Sequence, residues 1–140
     1  MAANVEPIFT LVPRINYAQL AAANTGADLS TNAALIFTGG TNGSLLVDAR
    51  VKYLPGTSTV ATACRLWINN GSALGTTSNN SLLTEITVNA ITTTQVAGTV
   101  DNGFILPRNG LFVPNGYRVY VTVGTWSTGT FMCTGIGGDY

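Results

Sequence analysis

The chain has 140 residues, 46% of them hydrophobic and only 9% charged, with six basic residues, six acidic residues and no histidine. That length fits one domain able to bury a real core, and the charged fraction sits far below the roughly 25% of an average globular protein. The charges are scattered singly and the formal net charge is +0. There is no basic stripe to neutralise a row of phosphates, so no nucleic-acid partner is expected, and copies of the chain repel one another little.

Residues 1–30 show no alternation. They carry Pro7, Pro13 and the small-residue run AQLAAANTGADLS. INYAQLAAA has the composition for one or two helical turns, too short to stand alone. The more natural expectation is an extended N-terminal arm over 1–30 that gains order by lying on another surface. Its N-terminus, MAANVEPIFTLV, has neither a basic region nor a long apolar run, so no secretory signal is expected. No stretch approaches the roughly 20 apolar residues of a membrane span, so no membrane partner is expected.

From residue 31 to 140 the pattern becomes strand, turn, strand. ALIFTGG is a short apolar strand ended by glycines. In SLLVDARVKYLP, Leu45, Val47, Ala49, Val51 and Tyr53 are predicted inward, with Asp48, Arg50 and Lys52 outward. ATACRLWINNGS places Thr62, Cys64, Leu66 and Ile68 inward and Arg65 and Trp67 outward. SLLTEITVNA groups Leu82, Thr84, Ile86 and Val88. GFILP and LFVP are short apolar pieces, GYRVYVTVG points Tyr117, Val119, Val121 and Val123 inward against Arg118, Tyr120 and Thr122, and GTFMCTGIGG closes the series. Asn-Gly pairs at Asn42, Asn70, Asn102, Asn109 and Asn115 punctuate these segments, as tight hairpin turns require. Seven or eight short strands with one-sided alternation and no long helical period predict an all-β, antiparallel β-sandwich, jelly-roll-like in form.

No catalytic set is legible. Histidine, the usual general base and transition-metal ligand, is absent. Asp48 and Glu85 lie on outward faces of different strands, where solvated or arginine-paired carboxylates are the ordinary outcome. GIGGDY is glycine-rich but no helix follows it to cradle a phosphate. VDNGF offers Asp101 and Asn102 without the remaining acids of a calcium loop. Cys64 and Cys133 lack metal-ligand spacing and are expected as buried free thiols, with a disulfide as the lesser alternative. The expectation is therefore no enzyme, no cofactor and no metal.

The aromatics leave a choice open. Trp67 and Tyr120 are predicted outward beside Arg65 and Arg118, a mixture favoured at protein interfaces. Either that face meets a partner, or the rings fold over the rim of the core. With Trp126 they would otherwise form a flat platform for a sugar.

The runs ARVKYLPGTSTVATACRLWINNGS, LLTEITV and PNGYRVYVTVGT (Pro114 to Thr125), leading to the terminal GDY, resemble the small β-sandwich decoration or cement proteins of tailed-bacteriophage capsids. The likeness covers roughly residues 33–140. It implies a non-enzymatic virion protein, made in the host cytoplasm. Such a protein binds the outside of the capsid shell, with the major capsid protein as partner and a homo-oligomer, a trimer being favoured, as its state. On this reading Ile8, Phe9, Leu11, Pro13, Ile15 and Tyr17 anchor the arm, while Arg65, Trp67 and Tyr120 meet a sister subunit or the capsid. A tail, collar or fibre-base subunit, or a carbohydrate-binding host-attachment module, is the alternative.

Overall fold

The computed structural model of the chain describes residues 10, 12–26, 28–54, 60–92, 98–125 and 129–140. Among these the chain is all-β, with no α-helix and a single short 3-10 turn at Thr77–Asn79. Its strands are β1 (Val12–Leu20), β2 (Ala34–Thr38), β3 (Ser44–Leu54), β4 (Thr62–Asn69), β5 (Asn80–Val88), β6 (Asn102–Gly103), β7 (Leu111–Val113), β8 (Arg118–Val123) and β9 (Thr130–Asp139). They form two antiparallel sheets. The first runs β1-β9-β3-β6, with β7 also paired to β3, and the second runs β2-β8-β4-β5.

The inward side chains of both sheets meet in one core, which gives a sandwich-like arrangement. Leu46, Ala49, Val51, Tyr53, Phe131 and Cys133 come from the first sheet, and Ile36, Phe37, Cys64, Leu66, Val119, Val121 and Val123 from the second. The Tyr53 and Phe131 rings pack 5.3 Å apart, tilted by 59°. The sheets approach closely where β9 lacks side chains: a Cβ on Gly135 would lie 2.7 Å from the Ile36 carbonyl oxygen.

Three register shifts reset which residues face the core. Between Leu46 and Asp48, β3 takes one extra residue against β9. Ser44 and Leu46 therefore point inward before the shift, and Ala49, Val51 and Tyr53 after it. The expectation that Leu45 and Val47 point inward is corrected; Val47 is 57% exposed. β5 likewise takes an extra residue, Leu83, between the partners of Leu66 and Trp67, so Leu82 turns outward rather than inward. The third shift, in β2, lets both Ile36 and Phe37 be fully buried. Each is a β-bulge, where two residues oppose one and the period of two is broken.

The segment from Val12 to Leu20 is extended rather than helical. It is the edge strand of the first sheet, paired with β9 over its whole length from Val12↔Asp139 to Leu20↔Phe131. Its far end is pinned by Arg14, which donates to the Thr38 carbonyl at 2.9 Å and to the Asp139 carboxylate at 3.0 and 3.2 Å. The same guanidinium lies 5.3 Å over the Phe37 ring. The buried Ser44 hydroxyl also donates to Asp139 and accepts the Gly40 N–H.

Candidate interaction surface

The outer face of the second sheet carries a row of large apolar side chains. Register aligns Leu35 with Tyr120, Tyr120 with Trp67, and Trp67 with Leu82. Trp67 and Tyr120 do point away from the core, but they are 8% and 6% exposed. The chain covers them itself. Leu29, from the β1–β2 connection, packs on both rings, with Ala33 and Leu74 around them. Inside this small second core the Trp67 indole N–H donates to the Thr122 hydroxyl at 3.0 Å, satisfying two buried polar groups at once. Of the two readings left open for this outward face, rings folded over the rim of the core describe their surroundings better than an open interface.

Local hydrogen bonds explain why a polar stretch can serve as a lid over apolar rings. Asn24 is fully buried. Its backbone N–H donates to the Val123 carbonyl at 2.7 Å, and its amide donates to the carbonyls of Asp28 and Thr31. Asn32 adopts φ 46°, a left-handed conformation that Asn tolerates, and donates to the Ala23 carbonyl. Asp28 accepts from the hydroxyl and the N–H of Ser30; these bonds hold its carboxyl below the ordinary value. The β4–β5 connection that brings in Leu74 is knit in the same way by Asn69, Asn70, Asn79 and Asn80. Arg65 stays at the margin of this face and pairs with its cross-strand neighbour Glu85 at 2.6 Å.

The outer face of the first sheet has no such cover among the described residues. Ile15 is 68% and Tyr17 73% exposed on β1, with Pro13 exposed beside them. Ile15 lies opposite Ile136 of β9, and Ile136 in turn opposite the β3 bulge at Asp48, next to Val47. One step along, Leu45 is opposite Phe112 of β7, whose ring is 6.2 Å from that of Tyr140. An apolar band thus crosses β1, β9, β3 and β7. Its charged border sums to zero: Arg50 is paired with both Asp48 and Asp101, and the exposed Lys52 on the same face of β3 supplies the second positive charge.

The structure therefore separates the predicted interface residues. Pro13, Ile15 and Tyr17 share an exposed face; Arg65, Trp67 and Tyr120 lie on the other sheet, with the two rings covered. Ile8, Phe9 and Leu11 lie outside the described residues, as does Trp126. Sequence reasoning missed Val47, Phe112 and Ile136. Phe112 and Ile136 fell in segments too short or too glycine-rich to phase, and Val47 was assigned to the core by an unbroken alternation.

Little else offers chemistry. Cys64 and Cys133 are buried free thiols on opposite sheets. Burial pushes the Cys64 thiol up to about 12, slightly offset by Arg65, and raises Cys133 as well. No cluster of three or more potential metal-ligating side chains occurs among the described residues. A cleft between Tyr53, Val88, Ile91, Val100 and Asn102 has no charged lining residue.

Among the described residues, fold and surface define an all-β, two-sheet protein with one outer face whose two aromatics the chain itself covers and one open apolar face. No family model, curated protein or solved structure matches the chain.

Proposed function

We propose that this chain is a non-enzymatic structural protein of a tailed-phage virion. It is a jelly-roll sandwich that binds the outside of the capsid shell, with the major capsid protein as partner and a symmetric oligomer as its working state. The observation that carries this reading is the open apolar face of the first sheet, around Ile15, Tyr17, Val47, Phe112 and Ile136. Patches of this kind on monomers mark surfaces that meet other proteins. The strand orders β1-β9-β3-β6 and β2-β8-β4-β5 support the jelly-roll form, since β1, β2, β3 and β4 alternate between the two sheets, as do β8 and β9. Within the expected arm, Val12–Leu20 is a strand of the first sheet. Burial of Trp67 and Tyr120 weakens the carbohydrate-binding alternative, which needs exposed rings.

Co-sedimentation of the purified chain with phage capsids lacking it tests the proposal. Saturable binding at a fixed number of copies per capsid is expected. Absence of binding, together with retention on a glycan array, would overturn it.

A further inference from the structure

We infer that the occupant of the open face of the first sheet is a second copy of this chain, seated on Ile15, Tyr17, Val47, Phe112 and Ile136. The inference rests on the oligomeric structural reading above and deepens it by naming which surface the oligomer uses and what meets it.

Area is the first ground. The exposed fractions of these five side chains, 68, 73, 57, 54 and 36%, amount to on the order of 500 Å² of uncovered surface, taking about 150–250 Å² for a whole large side chain. That is at the upper end of the roughly 300–600 Å² of the largest patch on a typical monomer. It is also more than half of the ~800 Å² that each partner of a stable complex contributes. Pro13, exposed on the same face, extends it along β1.

Charge is the second. A capsid surface or another foreign partner that selected this face electrostatically would need an unbalanced charge to read. Here Arg50 is shared between Asp48 and Asp101, Lys52 beside it brings these four charges to zero, and Arg14 is taken up by Asp139. The formal net charge of the chain is +0. A neutral apolar band with internally cancelled ions is complementary to a surface of the same kind, and identical copies approach it without repulsion.

The contrast with the second sheet is the third ground. There the chain uses its own Leu29 and Leu74 to bury outward aromatics. On the first sheet no described segment does so, although burying these side chains carries the same apolar gain.

The test is sedimentation of the full chain across a concentration series, for the wild type, Tyr17→Asp, Ile15→Asp and, on the opposite sheet, Thr87→Asp. All three replaced side chains are solvent-exposed, so thermal melts should be nearly unchanged and will identify any variant that fails to fold. The expected result is an oligomer whose dissociation constant rises tenfold or more in Tyr17→Asp and Ile15→Asp but not in Thr87→Asp. A dimer would mean that the face meets itself, and a trimer that it meets another surface of the neighbouring copy; either supports the inference. A wild type that stays monomeric, or an oligomer indifferent to Tyr17→Asp and Ile15→Asp, would overturn it. Capsid co-sedimentation, run in parallel, separates the two proposals. If Tyr17→Asp keeps the oligomer but loses capsid binding, the face belongs to the capsid, and only the second-copy inference falls.

Discussion

Replacing Leu29 with alanine should tell whether the β1–β2 connection is a structural cover or a loosely attached loop. Leu29 is 1% exposed and reaches Trp67 and Tyr120 from a segment otherwise held by side-chain hydrogen bonds. Truncating a buried leucine costs about 2–5 kcal/mol, depending on how far its surroundings collapse. Because the cover lies near the surface and can settle onto the rings, a value of about 3 kcal/mol is appropriate. For a chain of this size each kcal/mol lowers the melting temperature by roughly 3–4 °C, so a drop of about 10 °C is expected. Calorimetry measures it. Trp67 fluorescence in a Trp126→Phe background supplies an independent reading, since loss of the cover admits water and shifts emission to the red. Leu29→Ile, which keeps the volume, should lose less than about 1.5 kcal/mol and leave the emission in place. If Leu29→Ala melts within 2 °C of the wild type, within about 0.6 kcal/mol, and its emission does not move, the cover contributes nothing and Trp67 is an open surface residue after all.

Three further outcomes follow from the same geometry. Burial acts to raise the Asp139 carboxyl, but the Ser44 hydroxyl and then Arg14 outweigh it and hold it below its ordinary value. A carboxyl depressed in the folded state stabilises above its unfolded pKa, about 4, and that contribution is lost as pH falls through the folded value. Asp139→Asn should therefore lower the melting temperature at pH 7 and flatten its decline below about pH 4; a decline as steep as the wild type's would rule Asp139 out as its source. With Cys64 raised to about 12, only ~10⁻⁴ of it is thiolate at pH 8. Native protein should resist iodoacetamide for hours, while denatured protein takes up two labels at once; rapid native labelling would contradict the burial. Finally, deamidation at Asn-Gly requires attack by the glycine N–H. In Gly43, Gly71, Gly110 and Gly116 that group is already engaged, by Gly40, Asn69, Pro107 and Gly39 respectively. Gly103 sits opposite Arg50, between the hydrogen-bonded positions of the short β3–β6 ladder, so its N–H faces the open edge. Peptide mapping after prolonged incubation should find Asn102 converted first, and prior conversion of Asn70 would refute this ranking.

Most inward positions were legible from alternation alone. Thr62, Cys64 and Leu66 on β4, Val119, Val121 and Val123 on β8, and Ala49, Val51 and Tyr53 on β3 are all buried as the period of two requires. The errors cluster at the bulges. In SLLVDARV both phases of the first four residues are apolar, so nothing local reveals the extra residue that sends Leu46 inward and Val47 out. Leu82 and Leu83 of β5 pose the same ambiguity. A bulge is settled by what lies on the neighbouring strand, and the β9 residues opposite this bulge are about 90 residues away in sequence. The pairing of Val12–Leu20 with β9 was hidden for the same reason: its bonds span more than 100 residues.

The interaction surface shows the harder limit. Outward apolar residues are one signal in the sequence, yet they have two fates in the structure. Trp67 and Tyr120 are covered because Leu29 reaches them from a stretch of small and polar residues with no periodicity to announce it. Ile15 and Tyr17 carry the same signal in a segment that showed no alternation, and nothing among the described residues covers them. Each fate depends on where a distant loop of the same chain comes to rest. An exposed aromatic read from a strand pattern is therefore an unfilled requirement for apolar contact, and only tertiary structure decides whether the chain fills it or leaves it for another molecule.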